Sequence, residues 1–130
     1  MRLQPFLNEM LELLREDYPE HLEQMERDGM GVNYLQVLDR EKAVIKFGKR
    51  GIMISGKAGT RKIDIRVYIS RECLFGLLEG KLTLEEAFYR EELRVFGDPS
   101  TLLRCYGIWE RLISLARKSP RFYFLTYKLR

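Results

Sequence analysis

Histidine is almost missing from this sequence. Its 130 residues hold His21 alone, beside two cysteines, Cys73 and Cys105. A metal centre built on imidazole and thiolate needs more ligands than these. The cysteines stand among apolar residues and form no CxxC pair, so they read as buried reduced thiols rather than a disulfide framework. His21 reads as a solvated residue of a charged stretch. Long apolar runs are missing too. None reaches the ~18 residues that would cross a bilayer. The first 28 residues carry eight carboxylates, where a signal peptide would need an unbroken apolar stretch. A cytoplasmic protein is the expectation. There is no GxSxG and no phosphate-cradling glycine loop; Gly56-Lys57-Ala58-Gly59 lacks the remainder of that motif. The carboxylate pairs Glu85-Glu86 and Glu91-Glu92 are sequence neighbours, which cannot flank one substrate bond from opposite sides. Neither an enzyme nor a cofactor is expected.

What is present is a foldable balance. Hydrophobic residues make up 45 % and charged residues 32 % of the chain. That suits one domain over residues 1–130 with one core, and is too apolar for disorder. The net charge of +4 is unevenly spread. Residues 1–28 hold three basic and eight acidic groups. Residues 46–66 hold seven basic groups against Asp64, and residues 101–130 seven against Glu110. Such asymmetry suits an anionic membrane, a nucleic acid, or complementary parts of one molecule. Nucleic acid is not expected as a partner, because Phe47 is the only aromatic inside the basic run and stacking platforms are missing. Lys49, Arg50, Lys57, Arg61 and Lys62 fall in or beside turns and are expected to gather at one sheet end.

Along the chain, Phe6, Leu7, Met10, Leu11, Leu13 and Leu14 recur at helical spacing, with Pro5 in the first turn. Pro19 interrupts, a second short helix follows, and Asp28-Gly29 stops it. This makes residues 1–31 a helical acidic arm and residues 32–130 the core. Strands are predicted over Tyr34–Leu38, Ala43–Phe47, Gly51–Ser55 and Lys62–Ile69, with turns at Asp39-Arg40, Gly48-Lys49-Arg50 and Gly56 to Thr60. Three helices follow. Ser70 caps one that ends at Gly80, Thr83 and Glu86 form a capping box for the next, and Asp98-Pro99 opens the longest, to about Lys118. On it, Leu102, Tyr106, Trp109, Ile113 and Ala116 form an apolar stripe, widened by Leu103, Leu112 and Leu115, while Arg104, Glu110, Arg111, Arg117 and Lys118 face water. Leu93–Phe96 reads as a short strand. Phe122 to Leu129 alternates and reads as a last strand, ordered because four aromatic rings left in water would make a patch that monomers rarely tolerate. The class is α+β, a twisted, mostly antiparallel sheet of about five strands with helices on one face.

The stretch from Ile63 to Leu112 carries an ordered set of pieces. Leu77-Leu78-Glu79-Gly80-Lys81-Leu82 is followed by Ala87-Phe88, then by Leu93-Arg94-Val95-Phe96-Gly97-Asp98 leading into the long striped helix. This set closely resembles the C-terminal half of the sterol carrier protein type-two domain. The resemblance implies helices packed over one face of a five-stranded sheet, with an apolar tunnel between the sheet and the C-terminal helices. It also implies non-catalytic binding, or transfer, of fatty acyl chains, sterol-like molecules or phospholipid. By position, Leu74, Leu77, Leu78, Phe88, Leu102, Leu103, Tyr106 and Trp109 would line the tunnel. Each is equally compatible with plain core packing, and a tunnel is a core with a gap. The alternative is therefore a protein-interaction or dimerisation module of the same fold with a filled core. The expected partners are a lipid or fatty acyl ligand, an anionic membrane surface in weak contact, and a second copy of the chain. The acidic arm and the last ten residues extend beyond the pattern, and either could occupy the tunnel or make a subunit contact.

Overall fold

The computed structural model describes residues 1–57, 59 and 62–130. Two short helices open it, α1 (Leu3–Asp17) and α2 (Pro19–Gly29). The apolar face of α1 buries Leu3, Phe6, Leu7, Leu11, Leu13 and Leu14 in the same core as the sheet. Pro19 sits in the first turn of α2, where a missing amide hydrogen is harmless. α2 ends at Gly29, a position that excludes a side chain: a Cβ there would stand 2.3 Å from the ring of Phe47.

The five strands are β1 (Asn33–Leu38), β2 (Glu41–Gly48), β3 (Gly51–Ser55), β4 (Ile65–Ile69) and β5 (Leu93–Gly97), in the order β3-β2-β1-β4-β5. β1 and β4 are parallel and the other three neighbouring pairs antiparallel, so the sheet is mixed within the expected α+β class. Asp39 turns the β1–β2 hairpin with φ 55°, a conformation aspartate tolerates. β4 starts three residues later than its alternation predicts. Asn33 uses the preceding loop instead: its amide donates to Asp64 Oδ2 at 2.8 Å, and its side chain donates to the Lys62 carbonyl at 3.0 Å. Of the turn expected over Gly56 to Thr60, Ala58 and Thr60 lie outside the described residues.

The register divides the sheet into two faces. Tyr34, Gln36 and Leu38 point to one side with their partners Ile45, Ile65, Val67 and Ile69. The helices cover that side. Leu35 and Val37 point to the other, with Lys42, Val44, Lys46, Arg66 and Tyr68. Here the basic run departs from expectation. Lys49 and Arg50 precede β3 and Lys57 follows it, so they stand at opposite ends of that strand, and Arg61 lies outside the described residues.

The remaining helices are α3 (Arg71–Leu78), α4 (Leu84–Tyr89), α5 (Pro99–Lys118) and α6 (Pro120–Tyr127). Their start signals act as read. The Ser70 hydroxyl accepts from the Cys73 amide at 3.0 Å, Thr83 and Glu86 close a reciprocal capping box, and Asp98 accepts from Thr101 at 3.2 Å.

The last segment corrects the sequence reading: Phe122–Leu129 is helical through Tyr127, not a strand. Ser119 accepts from the Phe122 amide at 3.1 Å, and Pro120 fills the first turn. The dipeptide that ends α5 thus also starts α6. On a helix, Phe122, Leu125, Thr126 and Leu129 share one buried face, while Tyr123, Phe124 and Tyr127 stay exposed.

Candidate functional site

Between the covered sheet face and the helices lies a cavity of about 130 Å³. β1, β2 and β3 form its floor through residues such as Gln36, Ile45 and Ile54. α1 forms much of its roof through Leu3, Phe6, Leu7, Met10, Leu11 and Leu14. α5 and α6 complete the roof with Ile108, Leu112, Phe122 and Thr126. Among the described residues, no charged side chain lines it. A second cavity of about 150 Å³ lies over β4 and β5, against α4 and the first half of α5.

Tyr34 and Trp109 line both cavities and form the partition between them. The Trp109 indole N–H donates to the Tyr34 hydroxyl. Burial pushes the Tyr34 phenol far above its ordinary value, so it stays a protonated, neutral group. Cys105 lines the second cavity, and burial raises its thiol as it raises that of Cys73. Both are free and buried, as expected.

An ion-pair network holds one end of the first cavity. Arg71 pairs with Glu41 and with Asp39, and its Nε donates to the Leu129 carbonyl at 2.8 Å. Glu41 also accepts the Leu3 amide at 3.0 Å. Leu3 and Leu129 both line the cavity, so this network fixes the first and last turns of the roof. Burial acts to raise the Glu41 carboxyl, but hydrogen bonds from Arg71, Leu3 and Arg2 outweigh it and hold the group below its ordinary 4.5. A depressed carboxylate stabilises the fold fully above its ordinary value and loses that contribution as pH falls through the native value. Glu41→Gln is therefore expected to lower stability at pH 7 and to flatten the dependence on pH below 4.5. Denaturant titrations at pH 7 and pH 3 check this. Equal losses at both values would count against the network.

No family model matches the sequence, and neither does any curated protein. Solved structures do. A UbiJ-SCP2 ubiquinone synthesis protein matches with a TM-score of 0.58 over 92 % of this chain and 98 % of its own, at 18 % identity. The sterol carrier protein domain 2 of Helicoverpa armigera matches at 0.55 over 83 % of this chain and 82 % of its own, again at 18 % identity. The chain has the sterol carrier protein type-two fold. A double mutant of the sec-alkylsulfatase PisA1 shares it over 63 % of this chain, at a TM-score of 0.51 and 16 % identity, but the chain spans only 14 % of that protein's length.

Within this sterol carrier protein fold, the residues singled out from sequence separate into four groups. Leu74 and Leu78 line the first cavity, and Trp109 lines both. Phe88, Leu102 and Tyr106 line the second, and the Tyr106 hydroxyl donates to Glu85 at 2.9 Å. Leu77 is buried outside both cavities, beneath a surface groove. Leu103 is 79 % exposed and lines neither, because it falls one residue beyond the inward edge of the α5 stripe. Arg111 departs from its expected place in water. It points toward α2, with Nη1 donating to His21 Nδ1 at 2.8 Å, and its buried Nε has no partner among the described residues. His21 is correspondingly half-buried, edge-on to Tyr18. Sequence reasoning missed the roof residues of α1 and α6 and the floor residue Gln36. The helical periodicity of α1 was the available signal for the first set.

Proposed function

We propose that this chain binds apolar lipid, and passes it on, through the cavity between the sheet and α1, α5 and α6. The observation that carries the reading is a preformed cavity whose lining holds no charged side chain. Each buried methylene contributes about 0.8 kcal/mol, so a long alkyl chain has ample free energy to offset its ordering. About 130 Å³ is close to the ~150 Å³ of an engineered apolar cavity that binds benzene. The cavity as it stands takes a ring-sized or short alkyl group, and a longer chain extends by swinging Trp109 or parting α1 from α6. Native mass spectrometry of protein purified from cells is expected to show bound lipid, released on denaturation. Apo mass alone, together with no displacement of a fluorescent fatty acid, would favour the filled-core interaction module instead.

The uncovered sheet face supports docking to an anionic bilayer. It carries Lys42, Lys46, Arg66 and Arg94 and no acidic side chain at any register position, with exposed Met53 and Phe96 among them. Arg94 lies 5.3 Å over the Tyr68 ring, and none of the four cations is in an ion pair among the described residues. At about 1 kcal/mol per basic residue near an anionic surface, Lys46→Glu with Arg66→Glu is expected to cut sedimentation with anionic vesicles more than tenfold. Equal sedimentation of the parent protein with neutral and anionic vesicles would remove this reading.

A further inference from the structure

Gln36 is an inconsistency in an otherwise apolar floor. It sits on the covered face of β1, the central strand, between Ala43 and Val67. It is 7 % exposed and lines the first cavity, the one roofed by α1. Its amide makes one long hydrogen bond, Nε2 to the Val37 carbonyl at 3.4 Å, and no donor among the described residues reaches its Oε1. An inward position on a central strand is served better by valine or isoleucine, since a buried amide without partners destabilises the fold.

Two residues away on the same face, Tyr34 repeats the pattern. Its hydroxyl oxygen accepts from Trp109, but its own proton has no acceptor among the described residues. Two strand residues span about 7 Å, so an unused acceptor and an unused donor come from neighbouring positions on one face and line one cavity. The cavity supplies no cation, so a carboxylate or phosphate brought to this point would be buried without a counter-charge.

We propose that Gln36 and Tyr34 form a subsite for the polar head of a neutral lipid, an alcohol, a ketone or quinone carbonyl, or an ester, held head-inward against β1. The Tyr34 hydroxyl donates to the head-group oxygen, and Gln36 accepts from a hydroxyl or, through its amide, donates to a carbonyl. The proposal rests on the lipid-binding reading and adds to it a choice of ligand class: anionic lipids are excluded from this orientation.

The test uses the full chain and its single tryptophan, Trp109, as the reporter at the cavity wall. Dodecanol, dodecanoate and dodecane are titrated into the parent protein and into Gln36→Leu, and melting temperatures of both are recorded. The parent is expected to bind dodecanol at least tenfold more tightly than dodecanoate. Gln36→Leu is expected to lose about tenfold for dodecanol, keep dodecane, and melt at a higher temperature without ligand. If all three probes bind the parent and Gln36→Leu changes none of them, the subsite is wrong while the lipid cavity stands. A lower melting temperature for Gln36→Leu would mean the amide is already satisfied, for instance by a buried water, and would overturn the subsite. Failure of every probe to bind would overturn both readings.

Discussion

Deletion of residues 121–130 is expected to unfold the protein rather than free a lid. The segment buries Phe122, Leu125 and Leu129, each no more than 6 % exposed. At about 1.5–3 kcal/mol for each large apolar side chain, the loss is roughly 5–9 kcal/mol. That is comparable to the whole stability of a typical domain. The truncation would also uncover α1, which packs on α6, and remove the Leu129 carbonyl that Arg71 uses. Circular dichroism and a denaturant titration of the truncated chain measure the effect. A retained cooperative transition near the parent midpoint, with faster ligand exchange, would show instead that α6 is a detachable cover. The outward rings Tyr123, Phe124 and Tyr127 offer the contrast. Their replacement by polar residues is expected to leave stability nearly unchanged.

The second large effect concerns the partition. Trp109→Ala removes the indole that separates the two cavities and leaves the Tyr34 oxygen without its donor. Large-to-small changes of this kind cost about 3–5 kcal/mol, because the surrounding side chains collapse only in part. The variant is expected to fold with much reduced stability and, if lipid binding holds, to accept longer chains across the joined space. Trp109→Phe keeps most of the ring volume and loses the hydrogen bond, so its smaller cost separates packing from polarity. Denaturant midpoints for both variants, with displacement of fluorescent fatty acids of increasing length, measure the two consequences. A cost below about 1 kcal/mol for Trp109→Ala would mean that the indole is not a packed wall.

Much of the fold was legible because its punctuation is local. Ser70, Thr83 with Glu86, and Asp98 with Pro99 mark helix starts by chemistry confined to one turn, and each acts as read. The tail was misread for a related reason. In Phe122–Leu129 nearly every residue is apolar, so period two and period 3.6 fit equally well. The deciding signal is Ser119-Pro120, which both ends α5 and starts α6. In the same way, the periodicity of α1 reports that it has an apolar partner without saying which. Gln36 was illegible on different grounds. β1 alternates Tyr34, Gln36 and Leu38 with Leu35 and Val37, and neither set is plainly polar, so alternation could not tell which face Gln36 belongs to. Leu103 shows the limit on α5, where two adjacent leucines, Leu102 and Leu103, leave the edge of an apolar stripe uncertain by one position.

The cavity roofed by α1 takes the rest of its cover from α5 and α6, and the Met1 ammonium group donates to the Lys128 carbonyl at 2.7 Å. Roughly a hundred residues separate α1 from α6. At a synthesis rate of about 5–20 residues per second, α1 waits some 5–20 s before its neighbour exists. During that interval the sheet can pair while its apolar floor is still open along one side. The cavity is thus closed only once α6 has emerged, and, if lipid binding holds, a lipid present before then would enter without parting any helices. Loading at birth and exchange at maturity would then be separate kinetic processes, the first governed by translation and the second by the opening of α1 against α6.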